Sequence, residues 1–156
     1  MKIGVLLCDD HYPEAIEQFG QYDDAFKRML SLAKTADKRA NEGVDDKFNQ
    51  GLDLSYQTWR CHLGELPQQA GDCDAWLLSG SKYSAYDEDP WISLLCAFIR
   101  SLDCARKPLL GICFGHQLIH QALGGLVNKS PNGWGLGLYP IEVKHNYRGL
   151  ECGEQL

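Results

Sequence analysis

At 156 residues the chain is long enough for one hydrophobic core and short for two. Its composition, 44% hydrophobic and 23% charged, is that of an ordinary globular protein. A net charge of −6 at pH 7 without a concentrated Lys/Arg face argues against a nucleic-acid partner, and no window approaches the roughly 18 apolar residues of a membrane span.

Residues 2–8 form an apolar run that ends in Cys8-Asp9-Asp10-His11. The run is too short for a signal sequence and meets acidic residues at once, so it reads as a first buried strand followed by a polar loop. Ile16, Phe19, Phe26, Met29 and Leu30 recur at helical spacing, which predicts a helix over Glu14–Leu30 weakened by Gly20. The polar stretch Ser31–Gly51 reads as a loop, a frayed helix or an insertion. Leu54–Arg60 alternates and is rich in strand formers, and Ala75–Gly80 is a compact apolar strand closing in the turn Ser79-Gly80-Ser81.

Asp89-Pro90 then marks a helix start, with Asp89 at the N-cap and proline in the first turn. Trp91, Leu94, Leu95, Phe98, Ile99 and Leu102 supply one apolar face. Pro108–Cys113 is a fourth strand, Gly115–Leu123 a helix closed by Gly124-Gly125, and Leu136–His145 a strand or hairpin interrupted by Pro140. The order β-α-β-β-α-β-α-β implies an α/β fold with a mainly parallel sheet flanked by helices. Seven cysteines, an odd number without a CxxC pair, fit reduced thiols and a cytoplasmic location better than a disulfide framework.

Chemistry concentrates at Gly111-Ile-Cys113-Phe-Gly115, where a strand stops at a cysteine between two glycines and continues as a helix. Such an elbow presents its side chain on a strained turn, and oriented N–H groups at a helix N-terminus favour the reactive thiolate. Cys113 is therefore the candidate nucleophile. An oxyanion formed by its attack on a carbonyl needs two donors. The Phe114 N–H supplies one, and the Gly80-Ser81 turn supplies the other if the third and fourth strands are neighbours. The other cysteines read as small buried apolar residues, with Cys152 unassigned.

The unbroken Gly111-Ile-Cys-Phe-Gly-His-Gln117 resembles the nucleophile motif of the class I glutamine amidotransferases. Leu118–Gly125 is similar to the same family, and Leu78–Asp87 leading to Asp89-Pro-Trp91 resembles the oxyanion-loop segment of its GMP synthase-related branch. Asn132–Gly137 fits the substrate-loop region less tightly. The resemblance implies a flavodoxin-like three-layer fold and a single domain over residues 1–156, incomplete at its C-terminus. It also implies attack of Cys113 on the side-chain amide of L-glutamine, a γ-glutamyl thioester, and release of ammonia, either by a stand-alone glutaminase or to a synthase partner. Gly80, Ser81 and Phe114 would form the oxyanion hole and Gln117 would contact the substrate.

The same branch includes γ-glutamyl peptidases, which direct this chemistry at another γ-glutamyl compound. No cofactor is implied. His116 reads as a packed histidine satisfied by backbone. His116 and His120 have the i, i+4 spacing of a metal pair but lack a third ligand, so no metal is expected. The family's base comes from a His-x-Glu or His-x-Asp pair well after the cysteine, and no such pair lies between Leu118 and Leu156. His145 is followed by Asn146-Tyr147. Three accounts stand: a fragment whose base lies beyond Leu156, which is favoured; a non-catalytic binding or regulatory module that lost its base; or an unusual base such as His145.

Overall fold

The computed structural model describes residues 1–40, 53–133, 140, 142, 144–146 and 152–153, the side chains of 32–40 apart. Strands β1 (Lys2–Leu7), β2 (Ser55–Arg60), β3 (Ala75–Leu78) and β4 (Leu109–Gly111) form a parallel sheet in the order β2-β1-β3-β4. Helices α1 (Pro13–Phe19), α2 (Tyr22–Ala40), α3 (Pro90–Cys104) and α4 (Phe114–Ala122) complete the described elements. The expected α/β architecture is therefore present, and β3 and β4 pair directly, with Leu78 opposite Gly111.

Strand β1 is buried along nearly its whole length because it lies inside a sheet covered on both faces. Ile3, Val5 and Leu7 pack with Leu77 and the α2 residue Phe26. Leu6 and Cys8 point the other way, into the larger core of Trp76, Leu78, Phe114, Leu118 and the inner face of α3. At β4 the covering is thinner, and Leu110 is half exposed.

Several boundaries differ from the sequence expectation. The single helix over 14–30 is two helices, because Gly20 takes φ +78° and ends α1. Asp24 then accepts the Gln21 N–H at 3.1 Å and starts α2. Phe19 and Met29, expected on the buried face, are exposed. Helix α2 continues to Ala40, into the stretch read as a loop, a frayed helix or an insertion, since its alanines and lysines are strong helix formers whatever their polarity. Residues 41–52 lie outside the described ones, as does most of the expected strand Leu136–His145 and the part of Asn132–Gly137 beyond Gly133.

Helix α3 starts at Pro90 as expected, but the Asp89 side chain makes no capping bond. Its buried face includes Ile92 and Cys96, whereas Leu94 is exposed. Cys104, near the helix end, is exposed rather than buried. No helix among the described residues is long and apolar enough to cross a membrane.

The centre of the sheet contains a volume constraint. Trp76 is buried between Trp59 and Phe98, with ring centroids 5.3 and 5.0 Å away, and its indole lies across Gly4. A Cβ at Gly4 would sit 2.3 Å from the indole ring. Gly4→Ala is expected to lower unfolding stability by roughly 1–3 kcal/mol, read from the urea midpoint at unchanged slope.

Candidate active site

Cys113 stands between β4 and α4 with φ 52° and ψ −109°, a conformation costing a non-glycine residue roughly 1–3 kcal/mol. Local bonds hold it there. Ile112 N–H donates to the Leu78 carbonyl at 3.0 Å, Gly115 N–H to Ile112 at 2.9 Å, and Gln117 N–H to Cys113 at 3.1 Å. The flanking glycines serve close packing, since neither has positive φ. A Cβ at Gly111 would lie 2.5 Å from the Gly115 carbonyl carbon, and one at Gly115 would lie 2.7 Å from Leu78 Cβ. The thiol itself is exposed.

The turn after β3 lies beside this elbow. A Cβ at Gly80 would be in ordinary contact, 3.6 Å, with Cys113 Cβ. Among the described residues, the N–H groups of Gly80, Ser81 and Phe114 have no protein acceptor. The structure thus brings Gly80, Ser81 and Phe114 to one place around Cys113. The Phe114 ring packs into the core against Trp91, 5.8 Å between centroids, and Trp91 in turn meets Tyr83 at 5.5 Å. Gln117 is exposed on the first turns of α4.

All of this sits at the carboxyl ends of β1, β3 and β4, where the chain runs from β1 to β2 on one side and β3 lies on the other. Such a switch point is where parallel sheets take ligands. Residues that local sequence did not single out converge here. Asp9, buried, bonds Lys82. Burial, followed by the charges of Asp9 and Cys113, pushes the Tyr22 hydroxyl up. The bond to Asp9 and its charge hold the Lys82 ammonium above the usual lysine range. Cys8, beneath the turn, is pushed up to about 12 by burial and is inert as a nucleophile. The only sequence signal for this group was the polar cluster closing β1.

The histidines do not supply a base among the described contacts. His62 has both ring nitrogens engaged, with the Leu7 carbonyl and Asp10, each at 3.2 Å. His11 Nδ1 meets the Gly20 carbonyl at 2.9 Å. His116 is exposed rather than packed, because it lies on the outer face of α4. The His120 ring lies against Gly125, where a Cβ would be 2.2 Å from Nε2. His145 is exposed in a bend. No metal-holding group of three or more His, Cys, Asp or Glu occurs among the described residues.

With this geometry established, the family assignment follows from a match of the class-I glutamine amidotransferase model to residues 48–151. The chain belongs to that family. It is 39% identical over 126 residues to γ-glutamyl peptidase 5 of Arabidopsis thaliana, covering 75% of this chain and 50% of that protein. Against γ-glutamyl peptidase 4 of the same plant, 39% identity extends over 145 residues, 83% of this chain and 58% of that one. The GMP synthase of Trichormus variabilis is 28% identical over 138 residues, covering 85% of this chain and 23% of that protein. The chain spans about half the length of the γ-glutamyl peptidases it matches. A glutamine amido transferase crystal structure from Methylobacillus flagellatus superposes with TM-score 0.52 at 24% identity, over 83% of this chain and 41% of that one. This likeness shows the fold, which is that of the class-I glutamine amidotransferases.

Two outcomes test the site's construction. Because the Gly111 contacts are backbone that cannot move aside, Gly111→Ala is expected to destabilise the fold by roughly 2–3 kcal/mol, read by urea unfolding. Asp10 gives a pH signature. Burial raises its pKa, but bonds from His62 and Arg60 and their charges outweigh this and hold the carboxyl below its usual range. With the folded pKa depressed, its contribution is complete above the unfolded value of about 4 and lost as pH falls through the folded value. Asp10→Asn is expected to flatten that acid limb in melting temperature measured from about pH 5 to about pH 3.

Proposed function

We propose that the chain carries the nucleophile and oxyanion portion of a thiol hydrolase acting on γ-glutamyl amides, with L-glutamine as the first substrate. The observation that supports this most is Cys113 at φ 52° on the strand-to-helix elbow, beside N–H groups of Phe114 and the Gly80-Ser81 turn that have no acceptor among the described residues. In this reading the Cys113 thiolate attacks the γ-carboxamide carbon, and the carbonyl oxygen becomes an oxyanion accepting bonds from those N–H groups. Collapse breaks the C–N bond, and a proton delivered to the leaving nitrogen releases ammonia to a synthase partner. Water then hydrolyses the γ-glutamyl thioester to glutamate and restores the thiol. Gln117 contacts the bound substrate, and neither cofactor nor metal takes part.

In this reading no described residue is assigned as the general base, whose assistance is worth about 10² to 10⁴ in rate. The seven free cysteines support a reducing, cytoplasmic setting. A second reading, in which the scissile bond is a γ-glutamyl peptide bond, is favoured by 39% identity to γ-glutamyl peptidases against 28% to a GMP synthase.

A chloromethyl ketone analogue of L-glutamine tests the proposal by intact-protein mass spectrometry. The sulfur of Cys113 should displace chloride, forming one C–S bond, and Cys113→Ala should lose this adduct. Protection by glutamine at lower concentration than by γ-glutamyl dipeptides supports the glutaminase reading, and the reverse order supports the peptidase reading. A folded chain whose Cys113 takes iodoacetamide but shows no preference for the ketone would instead be a non-catalytic module.

A further inference from the structure

The elbow chemistry leaves one buried charge without a role. Asp9, just past β1, is 5% exposed, and its carboxylate reaches 73 residues along the chain to Lys82. Oδ2 accepts the Lys82 backbone N–H at 2.9 Å, and Oδ1 accepts the Lys82 ammonium at 3.0 Å and the Asp10 N–H at 2.9 Å. A buried carboxylate is costly unless its oxygens are bonded, so the Lys82 backbone cannot swing away without leaving one uncompensated.

Lys82 directly follows the Gly80-Ser81 turn, and the other side of that turn is tied as well. The Ser79 hydroxyl accepts the Cys8 N–H at 2.8 Å and donates to the Gly80 carbonyl at 2.8 Å. Ser81 Oγ donates to the Cys8 carbonyl at 2.9 Å and accepts the Tyr83 N–H at 3.1 Å. With the Gly80 carbonyl held by Ser79, the planar trans peptide turns the Ser81 N–H the opposite way. That N–H has no acceptor among the described residues.

We infer that Asp9 is a positioning residue for the oxyanion turn: its carboxylate fixes the Lys82 backbone so that the Gly80-Ser81 amides are presented to a carbonyl attacked by Cys113. The inference rests on the reading of Cys113 as nucleophile given above. The backbone bond carries the effect. The ammonium belongs to a side chain 61% exposed, so its end of the pair stays in water and is screened there.

The test compares two reagents at Cys113 in the 156-residue chain. Capture of the glutamine chloromethyl ketone uses the oxyanion donors, whereas iodoacetamide alkylation needs only an accessible thiol. Asp9→Ala is expected to lower the ketone-to-iodoacetamide rate ratio by about 10-fold or more, below the full loss of a donor. Lys82→Met, which keeps the backbone N–H, should stay within about 3-fold of the parent. If Asp9→Ala fails to fold, Asp9→Asn carries the comparison, with a fall of about 3-fold or more expected.

Amide hydrogen exchange at Lys82 and Tyr83 supplies a readout independent of reactivity and should speed up in the Asp9 variants. Unchanged exchange overturns the clamp, and faster exchange with an unchanged rate ratio overturns the positioning role. A parent chain that shows no preference for the ketone removes the nucleophile reading itself, and the positioning role with it.

Discussion

The backbone contact between the last residue of β4 and the first turn of α4 is the constraint on which the rest of the site depends. With hydrogen in place of a side chain at Gly111 and Gly115, helix and strand close to within backbone contact, and Gly115 seats on Leu78 of the neighbouring strand. Cys113 is the residue left to absorb the sharp change of direction, and it does so at positive φ. Buried packing of Phe114 and Leu118 supplies the favourable energy that offsets this strain.

A second layer of order comes from the loops at the carboxyl ends of the strands. Asp9 bonds toward the turn after β3, while its neighbour Asp10 bonds toward Arg60, the last residue of β2, and His62 just beyond it. Two adjacent carboxylates thus tie the end of the central strand β1 to the loops on both sides. This arrangement follows from the strand order, because only a central strand has a neighbour on each flank to which consecutive residues can turn. The topological switch point is thereby a braced crevice.

What the sequence made legible was local. The glycine spacing around Cys113, the apolar run Ala75–Leu78 and the proline opening α3 each carry their geometry within a few residues, and each element appears where its pattern placed it. The sheet neighbours of the elbow also followed from chain order. The Asp9–Lys82 pairing was hidden, because nothing in either residue's surroundings marks a partner 73 positions away. Gly20 was seen as a weakness but not as a break, which depended on its left-handed conformation and on Asp24 opening a new helix. For the run to Ala40 polarity left loop and frayed helix both open, and the helix propensity of its residues decided for helix. His116 faces outward because the elbow sets the rotation of α4, and a motif cannot report that by itself.

The aromatic column Tyr83–Trp91–Phe114 gives the site a shared support. Phe114 offers its amide on the solvent side and its ring on the core side, and Tyr83 closes the segment that begins at Gly80. Trp91, on the first turn of α3, stands between the two rings and packs against both. One indole thus underlies both the elbow and the segment that follows the Gly80-Ser81 turn, so a change in its size would reach both at once.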